Sequence, residues 1–599
     1  MSTPRPEHPR PQFEREDWRN LNGTWTFTFD HGKSGVEREL FTSSGFDRKI
    51  VVPFCIESEL SGVAHTDFVE CLWYHRRLDV PKEWEGRNTV LHFGGVDHMT
   101  ELYLDGRFVG RHYGGNAPFS FDITPFIRYG ESHELVLHVR DELRSNTQPA
   151  GKQCPYSKSR GCLYTRVTGI WQTVWMEAVA NTGLCTCNII PDLDSRRFVI
   201  IPTFHAVQRG QRFHVTASAG GQEVASVDAS ANNGIPCSLF IQSPRTWSPE
   251  DPHLYDLVLE VRESDGTVID RVKSYGGMRK IHVEGDQVFL NNQPLYQRLV
   301  LDQGYYPDGV WTAPSDAALK RDIELAQACG FNGARLHEKV FEDRYLYWAD
   351  KLGYLTWVEG PFWADGPVFL HDQGTPWLAR NSLAEWREIV ETSRNHPSII
   401  TWTPFNEAWH LANENEHKRL VKDAYELTSS LDPTRPVNDA SGGYHVVTDV
   451  YTVHCYEQDP EKFHKMLRGT SEVPVYRPHK DRESAYAGQP YLVDEFGGIK
   501  WIPRDEVPYA DNSWGYGEPP RTLREFYARL HGLVQAIRTL PNCAGFCYTQ
   551  LVDVEQEQNG LFTYAREPKF DMRKIRACFL DEHLDQQEEA AKPEHASAR

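Results

Sequence analysis

The chain has 599 residues, with 84 Asp and Glu against 64 Lys and Arg, and a formal net charge of −20 at pH 7. This length exceeds the size at which a single hydrophobic core usually divides, which predicts about three or four domains. The acidic balance argues against a nucleic-acid partner, because nucleic-acid binding depends on Lys and Arg that neutralise phosphates.

The N-terminal residues, MSTPRPEHPRPQ, lack the apolar core of a signal peptide, and no later window approaches about 20 uninterrupted apolar residues. We therefore expect a cytoplasmic protein without a membrane partner. The 12 cysteines lack paired C-x-x-C spacing, which indicates reduced thiols. Cys185 and Cys187 would share one strand face, but too few further ligands lie nearby to predict a metal site.

Period-two alternation of side chains marks the first part of the chain, for example at Leu102 and Leu104. Asp105-Gly106 lies between two such runs and is typical of a tight hairpin turn. These features predict an antiparallel β-sandwich over residues 1–180. A shorter unit with the same alternation covers residues 181–282, and its length is typical of an immunoglobulin-like sandwich.

From residue 283 the pattern changes to strands that alternate with helices, as in a parallel sheet covered by helices. Ser315 and Ser382 are predicted to begin two of these helices. Eight candidate strands lie near Tyr296, Phe331, Tyr354, Ile399, Val437, Val450, Tyr491 and Ala544. Eight such units in about 300 residues predict a TIM barrel over residues 283–584, with its active site at the C-terminal strand ends. The polar tail, residues 585–599, is predicted to be disordered.

Two glutamates stand at the ends of buried strands in this barrel. Glu407, in TPFNEAWH, follows the fourth predicted strand, and Glu495, in YLVDEFGG, ends the seventh. Glycosidic bond cleavage requires one carboxyl group that donates and retrieves a proton and one that attacks the sugar or activates water. The sequence therefore predicts a glycosidase that acts on small-molecule or oligosaccharide glycosides. This chemistry implies no cofactor, and no convincing cluster of metal ligands is evident.

Segments throughout the chain resemble glycoside hydrolase family 2, which includes β-galactosidases, β-glucuronidases and β-mannosidases. The resemblance runs from about Trp18 to about Leu580 and is carried by DWRNLNGTWTF, TRVTGIWQTVWMEAV, WSPEDPHLYDL, GFNGARLHEKV and TQLVDVEQEQNGLF. It implies a jelly-roll domain, an immunoglobulin-like domain and a TIM barrel, in that order. It also implies a retaining double displacement, with Glu407 as general acid/base and Glu495 as nucleophile.

Further site residues follow from their positions at strand ends and from the same resemblance. Asn406 resembles the family's asparagine that bonds the sugar 2-hydroxyl. Arg335 is expected to hold the nucleophile ionised through a charge-assisted pair, and Tyr456 is expected to donate a hydrogen bond to it. Tyr548 stands where the family often has the tryptophan on which the sugar stacks. The remaining substrate-binding candidates are His337, His454, Glu359, Asp302 and Trp514, the last in an aromatic loop after the seventh strand.

The terminal sugar is the least determined part of this prediction. Family glucuronidases carry an Asn-x-Lys element that grips the sugar carboxylate, whereas Asn559 here is followed by Gly560 and Leu561, and the next lysine is Lys569. A buried carboxylate without a cation is costly to bind. The sequence therefore favours a β-galactosidase over a β-glucuronidase, with α-L-arabinopyranosidase, β-mannosidase and β-glucosidase as open alternatives. A non-catalytic carbohydrate-binding protein is the alternative from another class, and homo-oligomer formation also stays open.

Overall fold

A computed structural model of the chain describes residues 3–145, 147–362, 376–408, 414–503, 509 and 512–581. Antiparallel sheets occupy the first half of the chain, and a parallel sheet with helices occupies the second. None of the helices in these ranges combines the length and apolar character needed to cross a bilayer. The tail predicted to be disordered, residues 585–599, lies outside the described residues.

Two antiparallel sheets form the N-terminal β-sandwich. Their order is β3-β2-β4-β10-β7-β8 and β1-β12-β5-β9, and side chains such as Trp25, Leu72 and Leu135 fill the core between them. Asp105 and Gly106 have positive φ angles of 48° and 74° and form the predicted hairpin turn. The strands are β1 Trp18–Asn20, β2 Gly23–Phe29, β3 Arg48–Val52, β4 Cys71–Asp79, β5 Asn88–Phe93, β6 Val96–Asp97, β7 Met99–Leu104, β8 Arg107–Tyr113, β9 Phe119–Asp122, β10 Ser132–Arg140, β11 Gly169–Ile170 and β12 Val174–Val179.

A second, smaller sandwich follows, with sheets in the order β13-β14-β17 and β16-β15-β18-β19. A small antiparallel sheet, β20-β21-β22, leads from it into the barrel. Since β20 spans the proposed junction at residue 282, the exact division between the two domains remains a proposal. The strands are β13 Leu184–Asp192, β14 Arg197–Phe204, β15 Arg212–Ala219, β16 Gln222–Ser230, β17 Cys237–Phe240, β18 Tyr255–Arg262, β19 Val268–Gly276, β20 Ile281–Glu284, β21 Gln287–Leu290 and β22 Gln293–Pro294.

The C-terminal part is a curled parallel sheet in the order β26-β25-β24-β23-β29-β28-β27, consistent with the predicted TIM barrel. Helices lie between successive strands, so that the carboxyl ends of the strands meet at one edge. The strands are β23 Gln297–Asp302, β24 Gly333–Leu336, β25 Leu355–Glu359, β26 Ile399–Thr403, β27 Tyr451–Cys455, β28 Tyr491–Gly497 and β29 Cys543–Thr549. The helices are α1 Asp316–Ala328, α2 Asp343–Leu352, α3 Pro376–Ser393, α4 Glu414–Leu431, α5 Pro460–Leu467, α6 Leu523–Arg538 and α7 Met572–Leu580.

The predicted fifth barrel strand near Val437 is wrong as a regular strand. This segment joins the sheet only through isolated parallel bridges, Trp402 to Val437 and Asn406 to Ser441. Pro436 has no amide hydrogen to donate to a ladder, and the Val437 amide donates instead to the Asp449 carboxylate at 2.9 Å. Side chains therefore replace part of the backbone pairing at this position.

The two predicted helix starts had different outcomes. Ser315 caps α1, and its hydroxyl accepts from the Ala318 amide at 3.2 Å, as predicted. Ser382 does not cap a helix, because α3 begins at Pro376 and Ser382 lies within it. Its hydroxyl donates to the Leu378 carbonyl one turn earlier, at 2.7 Å, which is how a serine inside a helix is commonly satisfied.

Candidate active site

Glu407 and Glu495 meet at the carboxyl-terminal edge of the parallel sheet. Glu495 belongs to β28, whereas Glu407 follows β26 with a left-handed φ of 42°, and its amide donates to the Ser441 carbonyl at 2.8 Å. One carboxylate oxygen from each glutamate and one ring nitrogen of His454 lie within 4.8 Å of one another. The fold thus places two acidic groups from distant parts of the sequence on either side of one histidine.

His454, on β27, connects the two carboxylates. Its Nδ1 lies 2.7 Å from Glu407 Oε1 and 3.3 Å from Glu495 Oε2, and its Nε2 lies 3.1 Å from the Ser441 hydroxyl. Burial alone would lower the pKa of His454, but the negative charges of Glu495, Asp494 and Glu407 outweigh it and raise that pKa. The ring is therefore stabilised as an imidazolium between the two glutamates.

Arg335, at the end of β24, is fully buried and distributes its donors among several acceptors. It donates to Glu495 Oε1 at 2.7 Å, to Glu359 Oε2 at 2.7 Å and to Asn406 Oδ1 at 2.9 Å. It also donates to the Asp494 carbonyl at 2.6 Å. A guanidinium held in this way fixes one oxygen of Glu495 and supplies a permanent positive charge.

The second oxygen of Glu495 accepts from the Tyr456 hydroxyl at 2.5 Å, and that hydroxyl also lies 3.0 Å from Thr549 Oγ1. The Tyr456 ring stacks on Tyr516, with 3.4 Å between ring centroids and 3° between planes. Burial would raise the pKa of Glu495, but the cations of His454 and Arg335 outweigh that effect and lower it. Glu495 is therefore held as an oriented carboxylate at neutral pH.

Asn406 also contacts a buried acid, Glu338, and that acid lies beside a buried cation, Lys152. Neither residue was predicted from the sequence. Its amide donates to Glu338 Oε1 at 2.6 Å, and the Nζ of Lys152 lies 3.6 Å from the same oxygen. Burial raises the pKa of Glu338 to about 7, although the Lys152 charge opposes this shift. Glu338 follows the predicted His337 directly, whereas Lys152 comes from the segment between β10 and β11 and carried no sequence signal for this site.

The loop after β29 contributes a further buried acid, Glu557. Its Oε2 accepts from the Tyr164 hydroxyl at 2.5 Å, and its Oε1 accepts from the Asn559 amide at 3.0 Å. Burial raises the pKa of Glu557 to about 7. Glu557 lies inside the TQLVDVEQEQNGLF motif, and this motif was the sequence signal from which Glu557 could have been predicted.

Trp514, half-buried, donates its indole N–H to the Gly161 carbonyl at 2.6 Å and so ties the predicted aromatic loop to the N-terminal segment.

Two predicted substrate-binding residues, His337 and Glu359, lie behind Arg335. Both are buried, and His337 Nδ1 lies 2.8 Å from Glu359 Oε1. Glu359 accepts from Arg335 and, through its other oxygen, from the Glu338 amide at 3.0 Å. These contacts are those of residues that orient Arg335 and Glu338. A direct contact of either residue with sugar stays a prediction.

The structure does not bring Asp302 and Tyr548 into the network around the two glutamates. Asp302 accepts from its own loop, at the Gly304 amide over 2.9 Å, and from the Tyr345 hydroxyl over 3.3 Å. The Tyr548 ring packs in the barrel core against Phe496 and Phe579. Successive side chains of a strand point to opposite faces, so that the next residue, Thr549, faces Tyr456 instead. Tyr548 thus lies on the core face of β29, and its contact with sugar stays a prediction.

Lys569, the first lysine after Asn559, forms an ion pair with Asp553. Its Nζ lies 2.9 and 3.1 Å from the two carboxylate oxygens of Asp553. A lysine that does interact with Glu407 and Glu495 is Lys152, from the N-terminal part of the chain. The charges of Glu338, Glu407 and Glu495 raise the pKa of Lys152 although burial opposes them. The sequence argument against a sugar carboxylate considered only the strand-eight loop and overlooked this lysine.

Comparison with known proteins gives consistent matches along the chain. The model named "Glycosyl hydrolases family 2, sugar binding domain" matches residues 18–150. The model named "Glycosyl hydrolases family 2" matches residues 206–279, and the model of the family 2 TIM barrel domain matches residues 281–497. The three matches follow the order of the sandwiches and barrel described above.

The similar proteins carry two different names. A β-galactosidase of Thermoanaerobacter pseudethanolicus is 24% identical over 489 residues, which is 79% of this chain and 58% of that protein's length. A β-glucuronidase of Streptococcus agalactiae is 24% identical over 590 residues, which is 92% of this chain and 94% of that protein. The β-glucuronidase of Ruminococcus gnavus, solved with D-glucuronic acid, shares the fold with a TM-score of 0.78 at 18% identity, over 96% of this chain and 100% of its own. By its matched domains, the chain belongs to glycosyl hydrolase family 2.

Proposed function

We propose that this glycosidase is retaining and exo-acting, with Glu495 as the nucleophile and Glu407 as the general acid/base. The observation that carries the proposal is the approach of one oxygen from each carboxylate and His454 Nδ1 to within 4.8 Å of one another. Retaining glycosidases have carboxyl groups about 5 Å apart, whereas inverting enzymes need roughly 6.5 to 9.5 Å to admit a water.

In the first step, Glu495 attacks the anomeric carbon while Glu407 protonates the leaving-group oxygen, and the glycosidic bond breaks. Glu495 is suited to attack because Arg335 and Tyr456 orient its two oxygens and its pKa is lowered. Glu407 lies 2.7 Å from the His454 imidazolium, so the donated proton can be supplied by this pair. The product is a covalent glycosyl-enzyme and a released alcohol.

In the second step, Glu407 takes a proton from a water molecule that attacks the anomeric carbon, and the bond to Glu495 breaks. The sugar leaves with its original configuration, because each of the two displacements inverts the anomeric carbon. Asn406, fixed between Arg335 and Glu338, is placed beside the acid to bond the 2-hydroxyl. Such a bond strengthens as the transition state develops positive charge on the ring.

Glucuronic acid is the terminal sugar that the relatives support best, so the substrate would be a β-glucuronide. The β-glucuronidase of Streptococcus agalactiae matches over 94% of its length, whereas the β-galactosidase matches over 58% of its own. The buried cation Lys152 removes the objection that a sugar carboxylate would find no positive partner. We therefore place β-glucuronidase before the β-galactosidase that the sequence favoured.

A neutral β-galactoside is the second candidate, and the charge of the site favours it. The acidic side chains around the two catalytic glutamates include Glu338, Glu359 and Glu557, and all three are buried. Against them stand the cations of Arg335, Lys152 and His454. An excess of carboxylates disfavours a further negative charge unless one of them is protonated.

A panel of 4-nitrophenyl β-glycosides that differ only in the sugar tests the proposal. We expect hydrolysis of the glucuronide, release of the β-anomer first by NMR, and loss of turnover in Glu495→Gln. The exposed Glu518→Gln is the matched control and should retain activity. The assignment would be refuted if none of the glycosides were hydrolysed, if the α-anomer were released first, or if Glu495→Gln kept full activity.

A further inference from the structure

One segment of the N-terminal part of the chain, residues 150–165, lies against the mouth of the barrel. At its start the Gly151 amide donates to the Pro361 carbonyl at 2.9 Å. At its end the Thr165 amide donates to Glu555 Oε1 at 3.0 Å, and between them the Gln556 amide donates to the carbonyl of Gly161 at 2.8 Å. These bonds fix both ends of the segment on the barrel, so its side chains hold defined positions beside the catalytic glutamates.

Lys152 is the charged side chain that this segment carries inward, and it is only 6% exposed. Its position is enforced by the preceding residue. Gly151 has a φ of 52°, and a Cβ at this residue would lie 2.3 Å from the Glu338 carbonyl oxygen. The backbone therefore runs directly against Glu338, with Lys152 Nζ 3.6 Å from Glu338 Oε1. Any side chain at position 151 would clash with the Glu338 backbone and push Lys152 away from the Glu338 carboxylate.

Glu338 is the acid that shares this position. Its Oε1 accepts from Asn406, and its buried Oε2 has no hydrogen-bond partner among the described residues. A pKa of about 7, chiefly caused by burial, lets this carboxyl change its protonation near neutral pH. The charged and titratable groups that face it or its partner lysine are Lys152, His337, Glu359, Glu407, Glu495, Glu557, Cys162 and Tyr305.

We propose that Lys152 contacts the terminal sugar and, by exchanging its pairing with Glu338, sets the preference between carboxylate-bearing and neutral sugars. This inference rests on the proposed function and deepens it. When an anionic sugar enters, Lys152 pairs with the sugar carboxylate, and Glu338 takes up one proton from solvent and becomes neutral. When a neutral sugar enters, Glu338 stays ionised beside Lys152, and the ammonium donates to sugar hydroxyls. The net charge of the pocket is the same in both complexes.

The first test compares kcat/KM for 4-nitrophenyl β-D-glucuronide and β-D-galactoside in Lys152→Met. We expect the glucuronide value to fall by about 100-fold, the size of a lost hydrogen bond to a charged group, and the galactoside value to fall much less. Lys158→Met is the matched control, because Lys158 is exposed on the same segment. It should change neither value. Equal losses on both substrates, or no loss on the glucuronide, would overturn the proposal.

The second test measures protons by calorimetry in two buffers of different ionisation enthalpy at pH 8. Binding of D-glucuronate to the wild-type chain should take up about one proton, since Glu338 is then mostly ionised in the free site. Binding of D-galactose should take up none, and Glu338→Gln should abolish the uptake. Absence of proton uptake with glucuronate, or uptake that survives in Glu338→Gln, would contradict the exchange.

These tests separate the inference from the proposed function. If the wild-type chain cleaves neither aryl glycoside, the proposed function fails, while the loss of glucuronate binding in Lys152→Met still decides the role of the lysine. If Lys152→Met does not fold, Glu338→Gln decides it instead. Glu338→Gln should then raise the ratio of glucuronide to galactoside turnover at pH 8, and an unchanged ratio would overturn the inference.

Discussion

The hydroxyl of Tyr456 donates to Oε2 of Glu495 over 2.5 Å. The parallel ring of Tyr516 covers Tyr456 from one side and restricts its rotation. Burial and the negative charge of Glu495 raise the pKa of Tyr456, so the phenol stays protonated and remains a donor. The carboxylate oxygen nearest to His454 is thus oriented by an uncharged group, whereas Arg335 orients the other oxygen.

The substitution Tyr456→Phe should lower kcat/KM by roughly 10- to 100-fold, because it removes one hydrogen bond to a charged oxygen. The ring still stacks on Tyr516, so thermal stability should change little. Steady-state kinetics and thermal unfolding check both expectations. Tyr113→Phe is the control, since Tyr113 is 52% exposed on the N-terminal sandwich. An unchanged kcat/KM in Tyr456→Phe would show that this bond is not used.

The substitution Arg335→Met should destabilise the barrel. It leaves the buried carboxylates of Glu359 and Glu495 without their shared cation, and breaking a buried ion pair on one side costs about 3–5 kcal/mol. Urea denaturation followed by tryptophan fluorescence measures the change in unfolding free energy. Arg77→Met, at a side chain 70% exposed, should change it by less than about 0.5 kcal/mol. A similar, small change in both variants would contradict the structural role of Arg335.

His454 predicts an alkaline limb in the activity profile. Its pKa is raised by Glu495, Asp494 and Glu407 against the opposing effect of burial. The imidazolium is therefore fully present below the ordinary histidine pKa of about 6.5 and is lost only as the pH rises through the raised value. The advantage of the wild type over His454→Asn in kcat/KM should be largest at low pH and shrink above that value. A ratio that does not change with pH would contradict this role.

Buried acids in the N-terminal sandwich predict that folding stability falls at alkaline pH. Burial chiefly raises the pKa of Glu57 to about 8 and those of Asp97 and Asp141 to about 7. Each neutral form is favoured by folding, so the stability that these three groups contribute is greatest below the ordinary carboxyl pKa of about 4 and declines as the pH rises to about 8. Glu57→Gln should weaken the fall in melting temperature between pH 6 and 9, whereas exposed Glu59→Gln should not. Identical slopes in the two variants would exclude Glu57 as a cause.

The sequence predicted the fold class because most of the local patterns agreed with the packing. Asp105-Gly106 adopts the positive φ angles of a tight hairpin, and Ser315 caps α1, so turn and cap chemistry were sufficient at these positions. The segment at Val437 could not be assigned in this way. Its apolar residues resemble a strand, but the Asp449 carboxylate takes the bond that a neighbouring strand would accept.

The site was predictable where it depends on a strand end and not where it depends on contact between domains. Glu407 and Glu495 stand where buried runs stop, and a parallel sheet brings such ends together. Lys152 reaches Glu338, and Tyr164 reaches Glu557, only because the N-terminal segment docks on the barrel, a contact that no periodicity within either segment encodes. Tyr548 lies on the core face of β29 and Thr549 on the opposite face, because successive side chains of a strand alternate.

The most direct test of the central claim is to identify the residue that captures the sugar. A 2-deoxy-2-fluoro β-glycosyl fluoride of the sugar that is hydrolysed should inactivate the enzyme. The 2-fluorine slows both displacements, but the good leaving group, fluoride, speeds the first, so the covalent glycosyl-enzyme accumulates. Mass spectrometry of peptic fragments should then place the glycosyl adduct on Glu495 within YLVDEFGG. An adduct on any other residue, or continued turnover with no adduct, would contradict covalent capture by Glu495.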